Sequence, residues 1–152
     1  MNPLEPVETR LAALIANLSP TARKQMASGI ARKLRASQQR NIKSQKAPDG
    51  TPFKPRKAQP LRGKKGRIKR EMFAKLRTAK YMKAKSTADD AAVEFTGRVQ
   101  RMVRVHHYGL RDRAARGGKE VKYDARPLLG IYDFDIEWIE SEISYFLSRR
   151  II

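Results

Sequence analysis

The amino-acid sequence predicts an α+β protein in which N-terminal helices and a C-terminal helix pack on a small antiparallel sheet, with a long basic loop. Apolar residues recur at helical spacing near both ends of the chain, which indicates amphipathic helices there. Two short stretches on either side of a polar turn indicate a β-hairpin in the middle. At 152 residues, the chain is expected to form a single domain, 1–152.

The first two helices are predicted over residues 4–17 and 20–44. Six apolar residues follow a helical period in the first: Leu4, Val7, Leu11, Leu14, Ile15 and Leu18. Ser19 and Pro20 end this helix and begin the next, as an N-cap and a first-turn proline. The second helix has a thin apolar stripe on a basic surface: Met26, Ile30, Leu34 and, after a gap, Ile42. Such a helix is expected to lie on the surface of a domain or partner.

Residues 46–67 are predicted to form a long, exposed, basic loop rich in proline and glycine. The run Pro48-Asp49-Gly50 is typical of a turn, and Pro55 and Pro60 exclude a helix. Loops of this length inside compact domains are usually functional or disordered.

Shorter elements are predicted beyond the loop. In chain order they are a short helix over 68–79, a hairpin of strands 81–86 and 91–96, a short helix leading to Tyr108-Gly109, a basic loop over 111–118, a strand at 121–123 and a last helix. Asp133 is expected to cap that last helix. Its apolar face is expected to hold Ile136, Ile139, Ile143, Phe146 and Leu147, with Trp138 beside it.

Charge is distributed unevenly along the chain. It carries 34 Lys and Arg against 15 Asp and Glu, a formal net charge of +19. Residues 21–86 hold 22 of the basic residues and only two acids, whereas 127–148 hold five acids and no basic residue. The acidic helix could pair with the basic middle of its own chain, or with the basic surface of the next subunit in a ring. The sequence leaves both interpretations open.

Several protein classes are excluded by composition. The chain has no cysteine, which excludes disulfide frameworks, thiolate metal sites and cysteine nucleophiles. No apolar run approaches the roughly 20 residues needed to span a bilayer. Glu5 and Glu8 stand where a signal peptide would have its basic region. We therefore expect a soluble cytoplasmic product.

No catalytic, metal or cofactor site is predicted. The two histidines, His106 and His107, are adjacent, so on a helix they point about 100° apart and are poorly placed to chelate one ion. A structural hydrogen bond is the favoured interpretation. Asp133, Asp135 and Glu137 alternate, but acids at the start of a helix are favoured by capping and by the helix dipole.

A basic cluster within and just after the loop is the strongest candidate for binding an acidic partner: Arg62, Lys64, Lys65, Arg67, Lys69 and Arg70. Such clusters are typical of phosphate contact. No motif for RNA stacking or for a phosphate-binding P-loop accompanies it. A solvated or protein-docking surface is the equally weighted alternative.

Six segments in this order and spacing, 30–40, 48–56, 72–77, 95–99, 105–112 and 125–130, resemble the phage virion morphogenesis family. This family comprises the S-like tail completion proteins of contractile-tailed phages. The resemblance covers nearly the whole chain. It implies a structural, non-enzymatic virion protein of the tail or neck that acts at the head-proximal end of the tail and is assembled in the host cytoplasm.

The resemblance also implies partners. These are other copies of the chain in a ring, with six copies expected, the tail terminator or tail tube, and the head connector. Neither a cofactor nor a membrane is implied, and the basic cluster is expected to face channel DNA or a neighbouring ring. The alternative function is non-specific nucleic-acid binding. Candidate interface residues, for which intrachain packing is the alternative, are Pro52, Phe53, Pro55, Tyr108, Gly109, Arg126, Pro127 and Leu128.

Overall fold

A computed structural model describes residues 5–55, 71–113 and 116–149. In these ranges the elements are, in chain order, α1 (Glu5–Ala16), α2 (Pro20–Lys43), β1 (Met82–Ser86), β2 (Ala91–Phe95), α3 (Gly97–Tyr108), β3 (Arg111–Arg113), β4 (Glu120–Lys122) and α4 (Asp133–Ser148). The α+β class is confirmed. The strands form two separate two-stranded sheets, β1 with β2 and β3 with β4, in place of the one small sheet predicted.

The chain divides into two compact units, each assembled from separate stretches. The first comprises Met1–Arg35, Ala84–Glu94 and Ile131–Ile152, and the second comprises Ala36–Lys83 and Phe95–Gly130. Buried apolar residues of the first unit are Ala22, Met26, Ala27, Ala31, Leu34 and Leu147. Those of the second unit are Ile42, Ala47, Phe53, Leu76, Met82, Phe95, Val99, Val103, Val105 and Leu128.

Both N-terminal helices form where the spacing predicts them. The Ser19 hydroxyl accepts a hydrogen bond from the Ala22 backbone N–H at 3.1 Å, as an N-cap should. Along α2 the predicted stripe includes the buried residues Met26, Leu34 and Ile42. The gap in this stripe is Gln38, which is also buried, with 1% of its surface exposed.

The predicted helix over 68–79 is wrong for its described part, because residues 71–79 form a series of turns. Phe73 has a φ of 65°, in the left-handed region that a right-handed helix excludes. Met72 has its backbone N–H and C=O bonded to the Gln45 side chain, at 2.7 and 2.9 Å. A distant side chain thus satisfies backbone groups that a helix would otherwise pair.

The predicted hairpin is confirmed as β1 and β2, whose turn is stabilised by the Thr87 hydroxyl accepting from the backbone N–H groups of Asp89 and Asp90. The predicted basic loop over 111–118 is wrong at 111–113, which form β3. This strand pairs antiparallel with β4, with Asp112 opposite Val121. Arg-Asp-Arg contains no apolar residue, so it carries none of the alternation that identifies a strand.

Helix α4 forms as predicted, but Asp133 does not cap it. The N-cap is Tyr132, and the Asp135 carboxylate accepts from the Tyr132 backbone N–H at 3.0 Å. Asp135 also accepts from the Trp138 indole N–H at 3.0 Å and is only 1% exposed. Because the helix begins at 133, the acid at its third position, and not the exposed first one, reaches back to the cap residue.

In the first unit, α1 packs along α4. The Lys33 ammonium and the Glu142 carboxylate form an ion pair between α2 and α4. The acidic helix therefore does pair with the basic part of its own chain, at one position among the described residues. Over the described residues, none of the helices is both long and apolar enough to cross a membrane.

Candidate functional site

The predicted basic cluster lies outside the described residues, within a stretch that we name the basic segment, residues 56–70. This stretch contains Arg62, Lys64, Lys65, Arg67, Lys69 and Arg70. It holds eight Lys and Arg and no acid. The structure describes the chain on both sides of it, and these two flanks belong to the second unit.

The N-terminal flank, 46–55, contains a bridged turn. Ala47 donates its backbone N–H to the Thr51 carbonyl at 2.8 Å, and Lys46 and Pro52 form an isolated antiparallel bridge. The Asp49 carboxylate accepts from the Thr51 backbone N–H, and this hydrogen bond lowers the pKa of Asp49. Phe53 and Ala47 are buried, so tertiary packing holds this flank against the second unit.

Arg126 fixes the end of this flank. Its guanidinium donates to the Lys54 carbonyl at 2.9 Å and to the Pro55 carbonyl at 3.1 Å, and its side chain is buried. Its backbone N–H donates to the His106 carbonyl at 2.7 Å. One residue thus ties the last described residues before the basic segment to the C-terminal half of α3.

Gln45 fixes the other flank. The two-way amide bond to Met72 resembles a strand pairing, in which donor and acceptor of one backbone residue are both satisfied. The Gln45 backbone carbonyl in turn accepts from the Phe53 N–H at 2.8 Å. Gln45 therefore connects a residue before the basic segment with a residue after it.

A row of four rings connects both flanks with α3. Phe53 and Phe73 meet edge to face with centroids 5.6 Å apart, Phe73 and His106 at 5.2 Å, and His106 and Tyr123 at 4.7 Å. Edge-to-face pairs at these distances each contribute about 0.5–1.5 kcal/mol beyond the burial of their surface. The row connects the two described flanks to α3 through His106.

The two histidines have structural roles beside the flanks. His107 Nδ1 accepts from the Leu128 backbone N–H at 3.2 Å, as the predicted structural hydrogen bond requires. Burial lowers the pKa of His107. Burial and then the charge of Arg126 lower the pKa of His106, whose Nδ1 is buried with no hydrogen-bond partner among the described residues.

We expect acid to destabilise the protein through these histidines. The unfolded chain takes up protons near the ordinary histidine pKa, and the folded chain takes them up at lower pH. The free energy of unfolding should therefore be highest above about pH 6.5 and fall as the pH decreases toward the folded pKa. Urea unfolding at about pH 7.5 and about pH 5.5 measures this loss, which H106F should reduce. An identical pH dependence in wild type and H106F would contradict the assignment to His106.

The segment 125–130 packs against α3 and α2. Gly109 ends α3 with a φ of 67°, and a Cβ added there would lie 2.8 Å from the Ala125 backbone nitrogen. The Gln38 amide donates to the Gly130 carbonyl and accepts from the Gly130 N–H, both at 3.2 Å. The close approach of Ala125 to Gly109 and the hydrogen bonds of the Gln38 side chain therefore fix the two ends of this segment within the second unit.

The eight candidate interface residues divide by exposure. Phe53, Gly109, Arg126 and Leu128 are buried, and Pro127 is half-buried. Pro52 and Pro55 are exposed, and Tyr108 has 65% of its surface exposed. The buried residues pack within the second unit and hold the exposed ones in place. Only the exposed ones are placed to touch a partner without rearrangement, and a partner interface at these positions stays a prediction.

Two residues that organise the site were missed by the sequence patterns, Gln38 and Gln45. One signal could have found Gln38, since a polar residue that interrupts an apolar stripe at helical spacing is expected to be buried with its bonds made. Gln45 belongs to no run of residues at helical or strand spacing. Its φ of 56° is that of a left-handed residue ending α2, because the Gln45 N–H donates to the Ile42 carbonyl and the Lys46 N–H donates to the Asn41 carbonyl. In the described ranges, no group of three or more metal-ligating side chains comes together.

Comparison with known proteins extends the motif resemblance to the whole chain. Tail completion protein S of Escherichia phage P2 is 43% identical over 150 residues, which span 98% of this chain and 100% of that protein. No solved structure matches the chain. The model of the phage virion morphogenesis family matches residues 3–148, a range that includes both flanks of the basic segment and the residues that fix them. The chain therefore belongs to the phage virion morphogenesis family.

Proposed function

We propose that this chain is a structural, non-enzymatic tail completion protein that acts at the head-proximal end of a phage tail and allows the head to join. One observation carries the proposal. The relative with 43% identity over its full length is named as a tail completion protein, and no large insertion or deletion separates a chain of 152 residues from a match of 150. The protein would be a virion component, assembled in the host cytoplasm.

The proposal includes an oligomeric ring, with six copies expected, that contacts the tail terminator or tail tube and the head connector. Three exposed residues of the second unit, Pro52, Pro55 and Tyr108, are the candidate contacts to these partners or to a neighbouring copy in the ring. Proline limits the conformations of the free chain, so less entropy is lost when this surface docks. Buried Arg126 and Phe53 hold the two prolines in place before any partner binds.

Complementation tests the function. A phage P2 mutant that lacks its tail completion protein S is grown in cells that express this chain, and infectious particles are counted. We expect the titre to rise at least about tenfold above cells without the chain. P2 protein S expressed in the same way is the positive control. A folded, abundant chain that leaves the titre unchanged, beside full rescue by that control, would contradict the proposal.

The mass in solution tests the ring. Light scattering on nuclease-treated protein at low and high salt should show a discrete oligomer. A monomer under all these conditions would contradict an oligomer that forms before docking on the tail.

Non-specific binding of nucleic acid is the second candidate function, and the composition of the basic segment favours it. Eight cations without an acid lie between flanks that are fixed by Arg126 and Gln45. Each phosphate that such a segment neutralises would make log K fall by roughly 0.9 per decade of salt.

Replacing Lys64, Lys65 and Arg67 together with alanine separates the two roles. If these residues face DNA, the oligomer stays intact while the salt slope of DNA binding decreases by roughly 2–3. Titration of a DNA duplex at several salt concentrations measures the slope, and light scattering measures the mass. Loss of the oligomer would instead place the three residues at an interface between subunits.

A further inference from the structure

Helix α4 presents an exposed face that is aromatic and acidic. Phe134, Glu137, Ser141 and Tyr145 follow the i, i+3, i+7, i+11 spacing of one helix face, and all four are exposed. Phe134 and Tyr145 expose 52% and 61% of their surfaces. The opposite face, with Asp135 and Leu147, is buried. An exposed face with two large aromatic rings is unusual for a protein surface and is typical of interaction sites.

Helix α3 presents an exposed face of the opposite charge. Arg101, Arg104 and Tyr108 follow the i, i+3, i+7 spacing and are exposed, with Arg98 one turn before them. The helix contains no acid. The Arg101 side chain is 85% exposed even though it pairs with Asp112, so its charge stays accessible to a partner. Tyr108 at the end of this face is the most exposed large apolar residue among those described in the second unit.

We propose that the α4 face of one copy docks on the α3 face of the next copy. This inference rests on the proposed oligomer and names the two surfaces through which its copies touch. Arginine and tyrosine on one side complement acids and aromatic rings on the other, and arginine and tyrosine are among the residue types that dominate binding energy at interfaces. The occupant is a second copy because the chain itself supplies both halves of a complementary pair.

The charge of the whole chain makes such a local match necessary. Every copy carries a formal charge of +19, so two copies repel each other at long range. At physiological salt, that repulsion is screened beyond about 8 Å, so the groups in direct contact decide whether two copies associate. Exposed Asp133 and Glu137 lie in a stretch, 127–148, that contains no basic residue, and the Arg149 guanidinium lies 5.6 Å from the ring centroid of Tyr145 at the other end of the face. The α4 face is therefore a place where a second basic copy can approach favourably.

The symmetry of the contact follows from the proposed ring. In a ring the contact is heterologous and repeats head to tail, whereas a two-fold dimer would make it twice between the same two copies. Each copy would use its α4 face toward one neighbour and its α3 face toward the other.

Cysteine cross-linking tests this contact cleanly, because the chain has no native cysteine. One population carries S141C and a large tag, and the other, without a tag, carries G97C on the same face of α3 as Arg101 and Arg104. Both positions are exposed and neither is charged. After mixing and treatment with a short bismaleimide, we expect a product that joins one tagged and one untagged chain. Products of two tagged or two untagged chains would instead indicate a different contact and overturn the inference.

Charge reversal supplies the specificity control. E137R in the tagged chain should lower the yield of the mixed product about tenfold, and R104E in the untagged chain should restore it. E120R makes the same charge change at an exposed position on β4 and should leave the yield unchanged. Equal losses with E137R and E120R would overturn the inference, since only net charge would then matter.

Light scattering on the same samples separates this inference from the proposed oligomer. An oligomer without the mixed product overturns the α4–α3 contact and leaves the oligomer standing. A monomer without the mixed product overturns the contact together with an oligomer that forms before docking on the tail.

Discussion

Replacing Gly109 with alanine is expected to lower the free energy of unfolding by about 2–4 kcal/mol. Two costs combine at this position. The φ of 67° lies in the left-handed region, which an alanine adopts at a cost of about 1 kcal/mol. The new Cβ would also lie 2.8 Å from the backbone nitrogen and 3.0 Å from the Cα of Ala125, so backbone must move. Urea unfolding of wild type and G109A measures the difference.

A second glycine isolates the steric part of this effect. Gly117 has a similar φ of 76°, but an added Cβ there would meet nothing within 4 Å. G117A should therefore lose only the conformational cost, about 1 kcal/mol. If G109A and G117A lost the same stability, the close approach of Ala125 to the end of α3 would be refuted.

Replacing Arg126 is expected to release the last described residues before the basic segment. R126A removes two hydrogen bonds from a charged donor and leaves a cavity, which should together cost about 3–5 kcal/mol. R126M fills most of the volume without any N–H donor and should cost about 1–3 kcal/mol, because burying the guanidinium charge is itself unfavourable. Thermal or urea unfolding of both variants gives the order of stability.

Titration of His106 provides an independent measure of the same contact. The Arg126 charge is the second cause of the lowered pKa of His106, after burial. In R126M, the pKa of His106 should therefore rise toward its ordinary value, while that of His107, which burial alone lowers, should change less. An NMR titration of the two imidazoles measures both. An unchanged pKa of His106 in a folded R126M would show that Arg126 does not lie beside it.

Elements with a strong local pattern were predictable. The helices α1, α2 and α4 follow apolar residues at helical spacing, and the β1–β2 hairpin follows two short strands around a polar turn. The end of α3 was marked by Gly109. Strand β3 was not predictable, because its three residues gain their structure only from pairing with β4. The apolar spacing wrongly predicted a helix at 71–79, where the chain forms turns because Gln45 binds the Met72 backbone.

The candidate site shows the same division. Local sequence was enough to mark the basic segment, its proline-rich flank and the region around Tyr108 and Gly109 as distinctive. The ordered motifs were enough to predict the family. The roles of Arg126 and Gln38 were not accessible in this way. Their side chains bind backbone groups 72 and 92 residues away in the chain, at Lys54 and Gly130.

Periodicity and composition act within a few residues, so they determined the helices, the hairpin and the net charge of +19. Burial of a polar side chain depends on which distant backbone groups the fold brings beside it. The tertiary structure alone therefore decided that Arg126 and Leu128 face inward and that Tyr108 faces outward, although all three belong to segments with similar turn-rich patterns.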